Sequence, residues 1–181
     1  GRAALADAVL RVDGAQLNCD FAVATASAQI PWPLVLPTAT YPFLAGAVVD
    51  ARGSIDLPRL ARAAESLLPL REDTQLLAGT AQFMFMQQLD AAGSPDSRVH
   101  LELAGLQAVA AGQPLTWNDP LTVDLSATRG SHGLQMAASA VAEFCNLNGQ
   151  GTIEAGQLSG NVDLDLLQQR LSQYVELPIR N

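Results

Sequence analysis

Residues 98–103 read Arg98-Val99-His100-Leu101-Glu102-Leu103. Apolar and polar side chains alternate without a break. A period of two puts Val99, Leu101 and Leu103 on one side of an extended chain and Arg98, His100 and Glu102 on the other. That is a β-strand with one dry and one wet face. The same alternation spreads outward. Leu121, Val123 and Leu125 oppose Thr122, Asp124 and Ser126, and Leu134, Met136, Ala138, Ala140, Ala142 and Phe144 share one side of residues 134–145. Upstream, Ala6, Ala8, Leu10 and Val12 oppose Asp7, Arg11 and Asp13; after Asp13-Gly14, a strong hairpin signal, Leu17, Cys19, Phe21 and Val23 oppose Gln16, Asn18 and Asp20. Further strands are predicted over 43–53, 75–87, from Leu115 to Trp117, and over 151–158.

Turn chemistry separates them. Gly93-Ser94-Pro95-Asp96, Gly112-Gln113-Pro114 and the glycines of 129–133 break the pattern, and Pro31, Pro33, Pro37 and Pro42 make 31–42 a loop or irregular edge. Short connections imply antiparallel neighbours. The predicted fold is therefore mainly β: a curved antiparallel meander sheet of about nine or ten strands, groove-like, with two amphipathic helices over part of its concave side or one open end. The alternative is a β-sandwich with two decorating helices.

The helices are read from a change of period. Leu57, Leu60, Ala61, Ala64, Leu67 and Leu68 form one stripe, with Asp56 as N-cap, Pro58 in the first turn and Pro69 at the end. Leu164, Leu167, Leu171, Tyr174 and Val175 form another over 164–175, after Asp163. The two starts repeat each other. Gly53-Ser54-Ile55-Asp56-Leu57-Pro58-Arg59-Leu60 aligns with Gly160-Asn161-Val162-Asp163-Leu164-Asp165-Leu166-Leu167 at an offset of 160 − 53 = 107 residues. Similar phrases follow, Leu67-Leu68-Pro69-Leu70-Arg71 and Val175-Glu176-Leu177-Pro178-Ile179-Arg180. The 181 residues read as a single β-rich fragment of a longer chain carrying this repeat.

The phrase Gly-x-Ile/Val-Asp-Leu-x-x-Leu with its Leu-Pro-Leu-Arg ending resembles the AsmA/TamB-like bacterial envelope proteins. So do Val99-His100-Leu101-Glu102-Leu103, Gly112-Gln113-Pro114-Leu115, Pro120-Leu121 and Val123-Asp124-Leu125. The resemblance covers about residues 45–181. It implies a long periplasmic or cell-envelope parent, anchored in a membrane, similar to bridge-like lipid-transfer proteins in which a curled sheet offers lipid an apolar groove. The partners it implies are lipid acyl chains and adjacent repeats of the parent chain.

Composition narrows the function. All ten basic residues are Arg, and 18 acidic residues give a net charge of −8. That disfavours nucleic acid and docking on anionic headgroups. No apolar run approaches the roughly 18–20 residues of a membrane-spanning helix. Two cysteines, Cys19 and Cys145, are too few for a disulfide scaffold or a zinc site; two separate buried thiols or one disulfide remain open. The only histidines are His100, on a solvated strand position, and His132, in a turn. No nucleophile elbow, metalloprotease motif or phosphate loop occurs, and Gly149-Gln150-Gly151 lacks the helix that would make it an anion cradle. Asp56 and Asp163 read as helix caps. The expectation is a non-enzymatic protein without cofactor or metal.

The segment Phe83-Met84-Phe85-Met86 is apolar on both faces of a strand. It reads either as a central strand between a helix and a second layer, or as one with a face on a helix and the other lining a lipid groove, which the flexibility of Met suits. Phe83, Met84, Phe85 and Met86 are thus the groove candidates. Trp32 and Trp117 are assigned to the core or to groove rims, core first. A structural or protein-interaction module with a closed core is the alternative function, with open edge strands free to pair with the next repeat or to make a homodimer.

Overall fold

The computed structural model describes residues 1–33, 44–64, 70–71, 73–130, 133–152 and 154–174. His132, Pro37, Pro42, the Leu67-Leu68-Pro69 phrase and residues from Val175 onward lie outside them. The described strands are β1 (Arg2–Ala6), β2 (Val9–Cys19), β3 (Ala22–Pro31), β4 (Val48–Asp56), β5 (Thr74–Leu89), β6 (Pro95–Ala110), β7 (Gln113–Trp117), β8 (Leu121–Gly130), β9 (Gly133–Ala142), β10 (Cys145–Thr152) and β11 (Gly156–Val162). Helix α1 (Leu57–Ala63) follows β4 and α2 (Leu164–Tyr174) follows β11. All strands join one open antiparallel meander, in the order β1-β2-β3-β4-β5-β6-β8-β9-β10-β11, with β7 paired to part of β6. No second sheet lies over it among the described residues, so the sandwich alternative does not hold.

Four chain reversals correct the sequence reading. Asp13-Gly14 is not a hairpin: it lies inside β2, where Gly14 at φ 59 sits in a register shift between Val12 and Ala15. The turns flank it. Asp7 and Ala8 reverse the chain between β1 and β2, both with positive φ (49 and 57), the backbone that hairpin twist demands. Cys19 pairs Ala22, so Asp20-Phe21 is the next reversal. Similarly Ala142 pairs Cys145, and the run 134–145 turns at Glu143-Phe144. The strand predicted over 151–158 is instead the end of β10 and the start of β11, joined where Thr152 N donates to Ala155 O at 2.7 Å.

The helices cap one end of the sheet. The Asp56 carboxylate accepts from Arg59 N at 2.9 Å, and Pro58 occupies the first turn. The Asp163 carboxylate accepts from Leu166 N, also at 2.9 Å. Helix α1 ends at Ala63, short of its apolar stripe. At this end Leu76, Leu106, Ala108, Trp117, Phe144, Cys145 and Tyr174 form the core, flanked by Leu57, Ala61, Leu166 and Leu167 from the helices. Trp117 meets Phe144 edge-to-face at 5.6 Å. Burial raises the Tyr174 phenol pKa. Leu164, read as part of the buried stripe, is 69% exposed; Leu166, one position outside that stripe, packs in its place. Cys19 is exposed and Cys145 buried, and both are free thiols. Trp32, assigned to the core, is 53% exposed.

Candidate functional site

Strand pairing sorts the residues onto two faces, because residues directly opposite each other in a sheet point the same way. One row across the sheet runs Ala26-Ala51-Phe85-Val99-Leu125-Ala138-Gly149-Leu158. The row beside it, toward the helices, runs Ala24-Gly53-Phe83-Leu101-Val123-Ala140-Leu147-Gly160. Neither contains a charged or polar side chain. The helix-end core lies on this same face, through Cys145 and Leu147.

Beyond the helices the described residues leave the Phe85 row open. Phe85, Val99, Leu125, Met136, Ala138 and Leu158 line a trough of 590 Å³, within the size range of small-molecule sites. Leu101 is 42%, Leu125 43% and Leu158 75% exposed. From β5 to β11 the row crosses six strands, about 24 Å at the ordinary strand spacing of roughly 4.8 Å. One leaflet of a bilayer's hydrocarbon core is about 15 Å deep. The trough is thus long enough for one extended acyl chain.

A buried amide lies next to the trough. Gln87, 1% exposed, is on the same face one row further from the helices, opposite Ser97. Its Nε2 donates to Leu44 O at 2.7 Å and Ala47 O at 2.9 Å. Its Oε1 accepts from Leu44 N at 3.2 Å and from Ser97 Oγ at 3.3 Å. All four hydrogen-bonding positions of the amide are used, and they hold the chain leading into β4 against the sheet. Nothing in the local sequence marks Gln87, since its backbone partners Leu44 and Ala47 lie 43 and 40 residues away.

The opposite face is wet. Its row aligned with Met84 reads Thr25-Arg52-Met84-His100-Asp124-Ser139-Asn148-Ser159. It borders a hollow of 870 Å³. His100 Nδ1 lies 2.7 Å from the Asp124 carboxylate on the neighbouring strand, and Nε2 lies 3.8 Å from Glu102. The hydrogen bond to Asp124, reinforced by both negative charges, raises the His100 pKa above its ordinary value.

The four groove candidates therefore divide. Phe83 and Phe85 share the apolar face, and Phe85 lines the trough. Met84 lines the polar hollow, and Met86 sits beside it in the row of Asp50 and Arg98. Sequence reasoning did not find Leu125, Met136 and Leu158, whose place in the trough depends on strand register. Among the described residues no cluster of three or more His, Cys, Asp or Glu side chains is arranged to hold a metal ion, and no helix is long and apolar enough to cross a membrane. Comparisons with family models, curated proteins and solved structures find no match.

Proposed function

We propose that this chain is a non-enzymatic, lipid-handling segment of a cell-envelope protein and that its uncovered apolar face binds acyl chains. The observation that carries this reading is the Phe85-Val99-Leu125-Ala138-Gly149-Leu158 row, apolar across six strands and open along the 590 Å³ trough. An exposed apolar surface that continuous calls for a partner. The described trough lining has no ionisable side chain, which suits a hydrocarbon chain. The phrases similar to AsmA/TamB-like proteins support placement in the periplasm, with a membrane-anchored parent.

A fluorescent fatty acid reports binding directly. Phe85→Asp or Leu125→Asp puts a carboxylate into the trough and should abolish binding. Met84→Asp, on the wet face of the same strand, should leave it intact. Equal binding by all three folded variants would refute the assignment.

A further inference from the structure

The internal repeat is larger in three dimensions than in sequence. In the first copy, β2 and β3 turn at Asp20-Phe21, β3 pairs β4, and α1 follows. In the second, β9 and β10 turn at Glu143-Phe144, β10 pairs β11, and α2 follows. The registers coincide: Ala22↔Ile55, Val23↔Ser54 and Ala24↔Gly53 match Cys145↔Val162, Asn146↔Asn161 and Leu147↔Gly160. The cap residue ties back identically, with Asp56 N donating to Phe21 O and Asp163 N to Phe144 O, each at 2.8 Å. Each helix also holds its hairpin through an arginine. Arg59 donates to Asp20 O at 3.0 Å, and Arg170 makes a bidentate pair with Glu143 at 2.7 and 3.1 Å.

The copies differ at one edge. In the first, β5 covers the outer edge of β4, pairing from Val49↔Gln87 to Asp56↔Thr80. The Phe83 ring fills the space at Gly53, where a Cβ would lie 2.7 Å from it. In the second, no described residue pairs with the outer edge of β11, and all seven of its residues are exposed. Leu158 and Val162 are 75% and 40% exposed. Their first-copy counterparts, Ala51 and Ile55, are half-buried beside β5. Free edges are ordinarily blunted by charge, proline or a bulge. Gly156-Gln157-Leu158-Ser159-Gly160-Asn161-Val162 carries neither charge nor proline.

We propose that the outer edge of β11 is a strand-acceptor site whose occupant is an antiparallel β-strand of β5's chemistry. That strand carries bulky apolar side chains opposite Leu158 and Gly160, as Phe85 and Phe83 stand opposite Ala51 and Gly53. The added strand extends the apolar rows by one strand. The inference rests on the repeat and stands whether or not the trough binds lipid.

Disulfide trapping tests it. Ser159 is the counterpart of Arg52, which opposes Met84. The whole chain carrying Ser159→Cys, with Cys19→Ser to remove the exposed thiol, is oxidised with synthetic peptides of residues 79–89. Each peptide has arginine tags and one cysteine, replacing Met84, Phe83 or Phe85. The proposal expects a covalent adduct with the Met84→Cys peptide and loss of adduct with the other two, since a one-residue shift points the thiol to the opposite face. Asn161→Cys with a Gln82→Cys peptide gives a second pairing, independent of any effect of the first variant on folding. No adduct at either pairing, or equal adducts at all peptide positions, overturns the proposal. A disulfide-linked dimer of the Ser159→Cys chain, formed in preference to the peptide adduct, also overturns it, in favour of a second copy on that edge.

Discussion

Replacing Gln87 with Met keeps the side chain's length and removes its entire hydrogen-bonding capacity. The four bonds it makes, at 2.7, 2.9, 3.2 and 3.3 Å, each contribute about 0.5–1.5 kcal/mol net, or about 2–4 kcal/mol together. The two longer ones belong at the lower end. Added apolar burial by Met offsets about 1 kcal/mol, leaving a loss of about 1–3 kcal/mol. A urea m-value of about 2 kcal/mol/M converts this to a midpoint lowered by about 1 M. Urea titration followed by tryptophan fluorescence measures it. Ser97→Ala, which deletes only the 3.3 Å bond, should cost under about 1 kcal/mol. The Gln87→Met chain should also be cleaved faster by protease near Leu44–Ala47, the backbone that Gln87 holds. A Gln87→Met midpoint within about 0.2 M of the parent, with unchanged proteolysis, would show that the amide does not anchor the Leu44–Ala47 backbone to the sheet.

Asp56→Ala and Asp163→Ala each remove a carboxylate accepting a helix N-terminal N–H at 2.9 Å; each should cost about 1 kcal/mol by urea titration, and the two losses should add. For His100, a folded-state pKa raised above 6.5 means that its pairing with Asp124 stabilises the fold fully below the unfolded value. The gain fades as pH rises through the folded value. Asp124→Asn should lower the His100 pKa in an NMR titration and flatten that pH dependence; an unmoved pKa contradicts the pairing.

Much of the fold was legible because an open one-layer sheet writes its two faces into period-two alternation, as at Val99-His100-Leu101-Glu102-Leu103. Both helix starts were legible because Asp56 and Asp163 cap them with their own side chains. The reversals were harder. Asp7-Ala8, Asp20-Phe21 and Glu143-Phe144 contain no glycine or proline, whereas Asp13-Gly14 has turn chemistry but serves a bulge. A two-residue hairpin shifts the alternation by one residue, and apolar neighbours such as Phe21-Ala22-Val23 and Phe144-Cys145 hide that shift from the pattern. The site was legible in one strand only. Phe83–Met86 showed two apolar faces, but cross-strand register makes one of them a trough and the other part of a wet face. Gln87 and Leu158 owe their roles to partners far away in sequence or to an absent neighbour, neither of which local sequence records.

The most direct test of the acyl-chain assignment uses the two faces of β5 as each other's control. A photo-crosslinking residue is placed at position 85 or 84 of the parent protein in its own cells, and covalently attached lipid is sought by mass spectrometry after irradiation. Phe85 lines the apolar trough and Met84 the polar hollow. Acyl-chain binding in the trough predicts lipid captured at 85 and none at 84. Lipid at 84 alone, or at neither position in folded protein, would contradict it.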